Sequence, residues 1–398
     1  MVLLRYLGAL FPVACLLLAS CSVASTLWTG VVENISNTLG YDDLQPQINA
    51  SGTVTWWGSS SGTSGYDIWQ SNGTTKTNLS NTNGYDEYHP TMNDYGQVAW
   101  YSYSAGAVGY DVWRWDGATT TCISPGTDGY DDMFPVIDNA GRVAWQEKKQ
   151  GVSITHAWLW DGAAKTQISL PNGQNDSGLQ INGGRVVWAG ETSGVSGSET
   201  WLWQGGSKTN LSNSSGGADY SPQTNDAGKV VWYGSVTTIS EYEIWLWDGA
   251  TKTNLSNSPG YRDWDPQINN SGQVAWHAEG PSNIDVWLWD GTTKTNLSYA
   301  NSYNDTAAQI NDRGQVVWQG SDGHDLEIFF WDGRQVYQVT DNDYTDQYPQ
   351  IAGDWIAWQG ATADGTTEVH RMRTPEPGTL MLMALGLGAL LLRRRKRQ

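Results

Sequence analysis

Short apolar stretches alternate with polar residues at a period of two along most of the chain, and Gly, Asn and Asp interrupt them at short intervals. One clear copy of the pattern runs from Gly260 and Tyr261 through Asp265-Pro266-Gln267-Ile268-Asn269 to Gln273-Val274-Ala275-Trp276. It continues through Asp285-Val286-Trp287-Leu288-Trp289-Asp290-Gly291 and ends at Lys294-Thr295-Asn296-Leu297-Ser298. The Trp that closes the Val-Ala-Trp step recurs at Trp56, Trp100, Trp145, Trp188, Trp232, Trp276, Trp318 and Trp358, at spacings of 44, 45, 43, 44, 44, 42 and 40 residues. Each copy holds four extended segments. The tight turns between them are of the Asn-x-Ser-Gly and Asp-Gly kinds, in which Gly supplies the positive φ that a hairpin needs. In the third segment Asp285, Trp287 and Trp289 share one face, and Val286 and Leu288 take the other. No stretch carries a helical period. Four strands per repeat of about 40–45 residues is the requirement of a β-propeller blade. The expected fold is therefore all-β: a single closed β-propeller of eight four-stranded blades, with a seven-bladed ring and one displaced copy as the alternative. Leu27 to Asn37 aligns with the end of a repeat such as Leu246 to Asn257, whereas the last copy stops before its fourth strand. The N-terminus then supplies the missing strand and leaves no open edge.

The repeats occupy residues 25–373, between two ends of a different character. Residues 1–24 read as a secretory signal: Arg5, an apolar run from Leu7 to Ala19, and small residues at Ser22-Val23-Ala24. Leu18-Ala19-Ser20-Cys21 gives the alternative of a lipobox with Cys21 lipidated. At the far end Pro375-Glu376-Pro377 precedes an apolar segment at 379–392 and a basic tail that includes Arg393, Arg394 and Arg395. From Gly378 to Leu392 a helix would span roughly 22 Å, short of a hydrocarbon core of about 30 Å. It would sit in a bilayer with thinning or snorkelling, its basic end held at the cytoplasmic side. The three-part arrangement over 374–398 resembles the PEP-CTERM sorting signal, also known as the ice-binding protein C-terminal domain. The resemblance implies a Gram-negative exported protein held for a time at the inner membrane, then processed near Pro375–Pro377 by an exosortase. It also implies association with the cell surface or with exopolysaccharide. The repeat itself, with Asn-Leu-Ser-Asn, Gly-Tyr-Asp, Pro, Val-Ala-Trp and Asp-Val-Trp-Leu-Trp in order, resembles TolB-type propeller repeats. That likeness implies architecture and not function.

Composition sharpens this picture. The 350 residues from 25 to 374 keep 16 of the 22 cations and 40 of the 41 anions, a net charge of −24. Such a balance argues against nucleic acid as a partner, since phosphate binding rests on Lys and Arg clusters. Of three cysteines, Cys15 and Cys21 belong to the leader, so Cys122 has no partner for an intrachain disulfide despite export. The fold must hold by packing, and 24 Trp suit that role.

Candidate chemistry is sparser. The five His fall at different positions in different repeats and show no zinc spacing. Gly58-Ser59-Ser60-Ser61-Gly62 matches Gly-x-Ser-x-Gly, but no helix follows, as a nucleophile elbow requires. Carboxylates recur ahead of the Pro in successive repeats: Asp42 and Asp43, Asp86 and Glu87 beside Tyr85, Asp131 and Asp132, Asp219, Asp263 and Asp265, Asp305, and Asp346. Equivalent positions of a propeller lie on one face, so these residues are expected to form an acidic, aromatic-edged binding face, unless each caps its own turn. Carboxylates suit Ca²⁺, and Asp341, Asp343 and Asp346 stand at short spacing, although the Gly and closing Glu of an EF-hand are missing. No other cofactor is expected. Exposed aromatic rings beside Asp and Asn suit sugars, which offer an apolar face and hydroxyls. The leading expectation is a non-catalytic binding or scaffold module for exopolysaccharide. A carbohydrate-active lyase or hydrolase with carboxylates at the propeller mouth, and a Ca²⁺-stabilised coat protein, are the alternatives.

Overall fold

The computed structural model describes residues 26–374 apart from the segments 28–29, 39, 60–64, 82–84, 104–107, 127–128, 170–173, 193–196, 215–216, 236–240 and 299–301. The leader with Cys21, the sorting residues Pro375, Glu376, Pro377, Arg393, Arg394 and Arg395, and the apolar segment 379–392 lie outside the described residues. Among the described residues every regular element is a strand, and the strands form eight sheets. The first strands of the successive blades are Asp43–Ile48, Glu87–Met92, Tyr130–Ile137, Gln174–Asn182, Asp219–Thr224, Asp263–Ile268, Asp305–Ile310 and Asp346–Ala352. Each packs beside the first strand of the next blade, so these strands line the axis and the later ones lie progressively outward. Blade six shows the plan: Asp263–Ile268, Val274–Glu279, Ile284–Trp289 and Lys294–Asn296, each antiparallel to its neighbour.

Blade eight is closed by the N-terminus. Val32–Asn34 pairs antiparallel with the third strand Thr367–Arg373, in the register Val32↔Met372 and Asn34↔His370. Further back, Thr26–Leu27 adds a parallel fifth strand beside Val336–Gln338 of blade seven. The ring therefore has eight blades, and the chain start completes the last of them.

The core lies between blades. All eight repeat Trp are at most 1% exposed. Trp276 of blade six packs on Val231, Ile244 and Leu246 of blade five, and Trp188 of blade four on Ala157, Leu159 and Ile168 of blade three. The closing joint has the same composition: Trp56 of blade one meets Ala357 and Val369 of blade eight, with Ile35. These indoles are also hydrogen-bonded. Their Nε1–H donates to the carboxylate that opens the same blade, from Trp56 to Asp43 at 2.7 Å, Trp145 to Asp132 at 2.6 Å, Trp276 to Asp263 at 3.1 Å, Trp318 to Asp305 at 3.1 Å and Trp358 to Asp346 at 2.8 Å. Room for that carboxylate comes from a glycine two residues after the Trp. A Cβ on Gly58, Gly190, Gly234, Gly320 or Gly360 would fall between 1.9 and 2.4 Å from a carboxylate oxygen, a distance real Cβ atoms do not show; blades two, three and six carry Ser102, Glu147 and Ala278 there.

Two further belts tie blade to blade. At the turn between first and second strands, Asn225 donates to the Asn269 carbonyl, Asn269 to the Asn311 carbonyl, and Asn311 to the Gly353 carbonyl, each at 2.9 Å. In the outer strands, Lys76, Lys208 and Lys252 donate through Nζ to the carbonyls of Ser36, Ser169 and Ser212 of the preceding blade at 2.6 Å. Lys76 and Lys252 also lie over Trp69 and Trp245, at 4.6 and 4.9 Å from the ring centroids, a cation–π contact. Replacing a repeat Trp should break the joint on both sides. Trp276→Ala is expected to cost about 3–5 kcal/mol and to lower the thermal midpoint of the full chain; an unchanged midpoint would show that the indole is not the joint.

Candidate functional site

Each first strand carries a bulge, marked by a register shift between residues such as Leu44 and Gln47, or Trp264 and Gln267. The residue in the bulge has positive φ: Gln45, His89, Phe134, Gly178, Ser221, Asp265, Ala307 and Tyr348, with φ between 45° and 62°. Seven of the eight are not glycine, and Pro follows six of them. A left-handed backbone at a residue with a side chain costs energy, of order 1–3 kcal/mol, and persists only when the surroundings hold it. Here they do. Gln359 accepts from the Gln45 N–H at 2.9 Å, Gln319 from the Tyr348 N–H at 2.8 Å, and His277 Nε2 from the Ala308 N–H at 2.9 Å. The bulge re-aims one side chain per blade, and eight such positions make a ring around one end of the axis.

That ring is uneven. Gln45, His89, Phe134, Gly178 and Tyr348, from blades eight and one to four, border a depression of about 440 Å³. From it an aromatic tract runs outward across blades one to three. Trp57 contacts Tyr66 and Tyr88 edge-on, at 4.7 and 5.4 Å between centroids, and Tyr88 reaches Tyr101 at 5.6 Å. His89 stacks on Tyr101 at 5.7 Å and meets Phe134 at 5.2 Å. Phe134 is 42% exposed and Tyr348 48%. Burial pushes the Tyr88, Tyr101 and Tyr110 hydroxyls up to about 12 and holds the His89 imidazole below its usual range. The tract is uncharged at neutral pH and offers hydroxyl groups and π faces together.

The opposite arc carries Ser221, Asp265 and Ala307. Asp265 is the one carboxylate in the ring, and burial raises it. Ser221 Oγ lies 3.5 Å from Asp265 Oδ1, and His277 Nδ1 3.9 Å from Asp265 Oδ2. This trio is no nucleophilic triad, because the carboxylate stands between the hydroxyl and the imidazole. Nε2 of His277 is already an acceptor for a backbone N–H, and burial pulls the ring down to about 4, so it stays neutral.

The carboxylates expected to form an exposed acidic face divide into two sets. Asp43, Asp132, Asp219, Asp263, Asp305 and Asp346 are buried, at most 4% exposed, as the openers of their blades. Glu87 in blade two shares their position, as does Asp176 in blade four, which sequence reasoning missed. The fixed distance to the Trp, 12 or 13 residues, is the signal that finds them. Asp42, Asp86 and Asp131 are half-buried and act as latches between blades: they accept from the backbone N–H of Thr367 at 3.0 Å, Tyr66 at 3.0 Å and Tyr110 at 3.3 Å. Tyr85, beside Asp86, is half-buried at the same joint. Asp341 and Asp343 are exposed, while Asp346 is committed to Trp358 and to Asn342, whose Nδ2 donates at 2.6 Å. The three therefore do not converge.

Comparison with known proteins locates the tail. Residues 373–396 match the PEP-CTERM protein-sorting motif. It follows that the chain is exported, passes through a membrane-held intermediate and is handled by exosortase-type processing. None of the curated proteins matches the chain. Among solved structures the likeness is to propellers. The β-propeller domain of the Trilobed protease from Pyrococcus furiosus, described as having an open velcro topology, has a TM-score of 0.54 at 13% identity, over 77% of this chain and 98% of that one. Pyrococcus horikoshii acylaminoacyl peptidase gives 0.53 at 12%, and Porphyromonas gingivalis dipeptidyl peptidase 4 gives 0.55 at 12%. These alignments cover 81% and 80% of this chain but only 58% and 57% of the two peptidases. At such identity the likeness carries the fold alone.

The buried blade openers set a pH dependence. Burial pushes Asp43, Asp132, Asp263 and Asp346 up to about 6, and Asp176 up to about 7. A carboxyl raised above its unfolded value of 3.8 stabilises the fold most in its protonated form, below that value, and loses this contribution as pH rises through 6 to 7. The thermal midpoint is therefore expected to rise as pH falls from about 8 to about 5. A midpoint that fell over that range would mean that the carboxylates are ionised and paired.

Proposed function

We propose that this exported propeller is a non-catalytic binding module for a neutral glycan chain, of the exopolysaccharide class, held at the mouth of the channel. The observation that carries the reading is the continuous aromatic tract from Trp57 to Phe134, open to the depression bordered by Gln45 and Tyr348. Sugar rings present an apolar face to aromatic side chains and hydroxyls to polar groups, and the tract offers both, with Gln45, Gln47, Gln146 and Gln350 as amide partners. The net charge of −24 disfavours anionic polymers. The sorting motif fits this reading, since it delivers the module to the envelope.

The test uses the full chain in detergent on a panel of neutral and anionic glycans, with released sugars assayed in the same samples. Retention on a neutral glycan without product is expected. Phe134→Ala, at an exposed ring-edge position, should weaken retention by about tenfold or more, on the scale of 1–3 kcal/mol per stacked ring. Product release that is lost in Asp265→Asn would replace this reading with a hydrolase or lyase.

A further inference from the structure

Apart from the channel mouth, the unusual chemistry lies in blade seven, in the loop Asp322–Asp325 between its second strand Val316–Ser321 and its third strand Leu326–Trp331. Asp322, Asp325 and Glu327 each bring a carboxylate oxygen within 4.8 Å of the other two. An acidic cluster alone means little, because exposed carboxylates are common. This one is different: Glu327 is 0% exposed, and its Oε2 has no hydrogen-bond donor. Both oxygens of Asp325 are likewise buried without a donor. The donors that reach the cluster are the Asn342 N–H to Glu327 Oε1 at 2.9 Å, the Thr340 hydroxyl to the Glu327 carboxyl, the His324 N–H to Asp322 Oδ1 at 2.9 Å, and Gln338 Nε2 to Asp322 Oδ2 at 3.5 Å. Both Asp325 oxygens and Glu327 Oε2 are thus buried beside further carboxylates, with no ion-pair partner among the described residues, and a buried charge without an opposite charge is costly.

The other blades supply the control. Glu327 stands where Asp67, Glu243, Asp285 and Glu368 stand in their third strands. Ser256 donates to Glu243 and Ser36 to Glu368, and Thr340, at the matching position of blade seven, hydrogen-bonds Glu327 in the same way. Two residues before Asp285, Asn283 donates from Nδ2 to its Oδ1 at 2.7 Å. In blade seven that position is Asp325. An amide donor has been replaced by a second acid, and Asp322 adds a third. The side-chain groups that face the cluster are Asp343, from the next loop, Asp346, and His324, whose Nδ1 lies 3.6 Å from Asp322 and whose side chain is 88% exposed. No Lys or Arg forms an ion pair with it among the described residues.

We propose that Asp322, Asp325 and Glu327 bind a divalent cation of the calcium class, which ties the second-to-third-strand loop of blade seven to its buried third strand. All the donors are hard carboxylate oxygens, with no Cys or inward His, which selects calcium over transition metals. Asp322 and Asp325 come from an irregular loop and Glu327 from a strand, and such an irregular set suits the variable coordination of Ca²⁺ better than the strict octahedron of Mg²⁺. The site's three carboxylates are not those of the sequence cluster Asp341, Asp343 and Asp346, although Asp343 and Asp346 face it, and none of them borders the channel mouth. It therefore stands or falls independently of glycan binding.

The test is calcium titration of the full chain in detergent at pH 7.5, by isothermal calorimetry and by thermal melting, with Mg²⁺ and EDTA in parallel. One Ca²⁺ per chain is expected, with Kd on the order of 10⁻⁴ M, as in extracellular modules. The melting midpoint should rise with Ca²⁺ and rise less with Mg²⁺. Asp325→Asn should weaken binding by about tenfold or more. In EDTA it should melt at or above the parent chain, because one of the facing charges is gone. Asp322→Asn, on the partly exposed loop, gives the same loss of affinity and carries the test if Asp325→Asn does not fold. Asp364→Asn, in the matching loop of blade eight, should leave binding unchanged. No saturable binding at millimolar Ca²⁺, an equal response to Mg²⁺, or binding untouched by both blade-seven variants would overturn the proposal, the first of these indicating that Asp325 and Glu327 share a proton instead.

Discussion

The joint between blades depends on one buried pair, the repeat Trp and the carboxylate that opens its blade. The indole fills the space against the preceding blade, and its N–H must be satisfied there, since no water reaches a ring that is at most 1% exposed. The carboxylate needs the same burial to reach it. Each partner thus makes the other affordable in an apolar joint. The glycine after the Trp, the Ser or Thr that donates to the acid, and the Lys that crosses to the preceding blade all follow from fitting this pair between two sheets. Cys122 is the single cysteine among the described residues, so these joints and the asparagine belt, not a disulfide, hold the described ring together.

That constraint also separates structure from function along each strand. Positions at the joint repeat almost without change: Trp in all eight blades, and an acid 12 or 13 residues before it. The bulge positions do the opposite. Their backbone conformation is shared, while the side chains run through Gln, His, Phe, Gly, Ser, Asp, Ala and Tyr. A scaffold that fixes φ and leaves the side chain free produces a ring of equivalent positions with eight different chemistries. The channel mouth becomes aromatic on one arc and small and acidic on the other for that reason.

Much of this was legible in the sequence. The Trp spacing determined the blade number, and the truncated last repeat beside Leu27 to Asn37 indicated closure by the N-terminus, as Val32–Asn34 and Thr367–Arg373 confirm. The candidate site was only half legible. In Asp42-Asp43 and Asp131-Asp132 two adjacent acids point opposite ways in extended backbone, so the first latches the third strand of the preceding blade and the second enters the core. Composition counts both as surface charge, and only the constant distance to the Trp tells them apart. The bulge was hidden for another reason. A left-handed residue is usually sought at glycine, and glycine fills one of the eight positions, leaving the following Pro as the sole mark. The cluster in blade seven was likewise invisible because Glu327 stands at the same third-strand position as its sister acids, and its distinction is an Asp where blade six has Asn283.

Ring closure and export meet in blade eight. Its third strand, Thr367–Arg373, runs straight into the sorting motif that begins at residue 373. That strand is not at the rim: Val32–Asn34 lies outside it and Trp355–Ala361 inside. A tether at the C-terminus therefore pulls on a strand paired on both sides. Arg371, in that strand, is held by Glu33 of the outer strand at 2.7 Å and by the Gly52 carbonyl of blade one. It also packs over Trp355 at 4.6 Å. The strand that leads into the sorting motif is thus tied at once to the N-terminal strand, to blade eight and to blade one. The joint between blades eight and one needs Ile35 and Val369 together, so closure of the ring joins residues from the two ends of the described chain in one core.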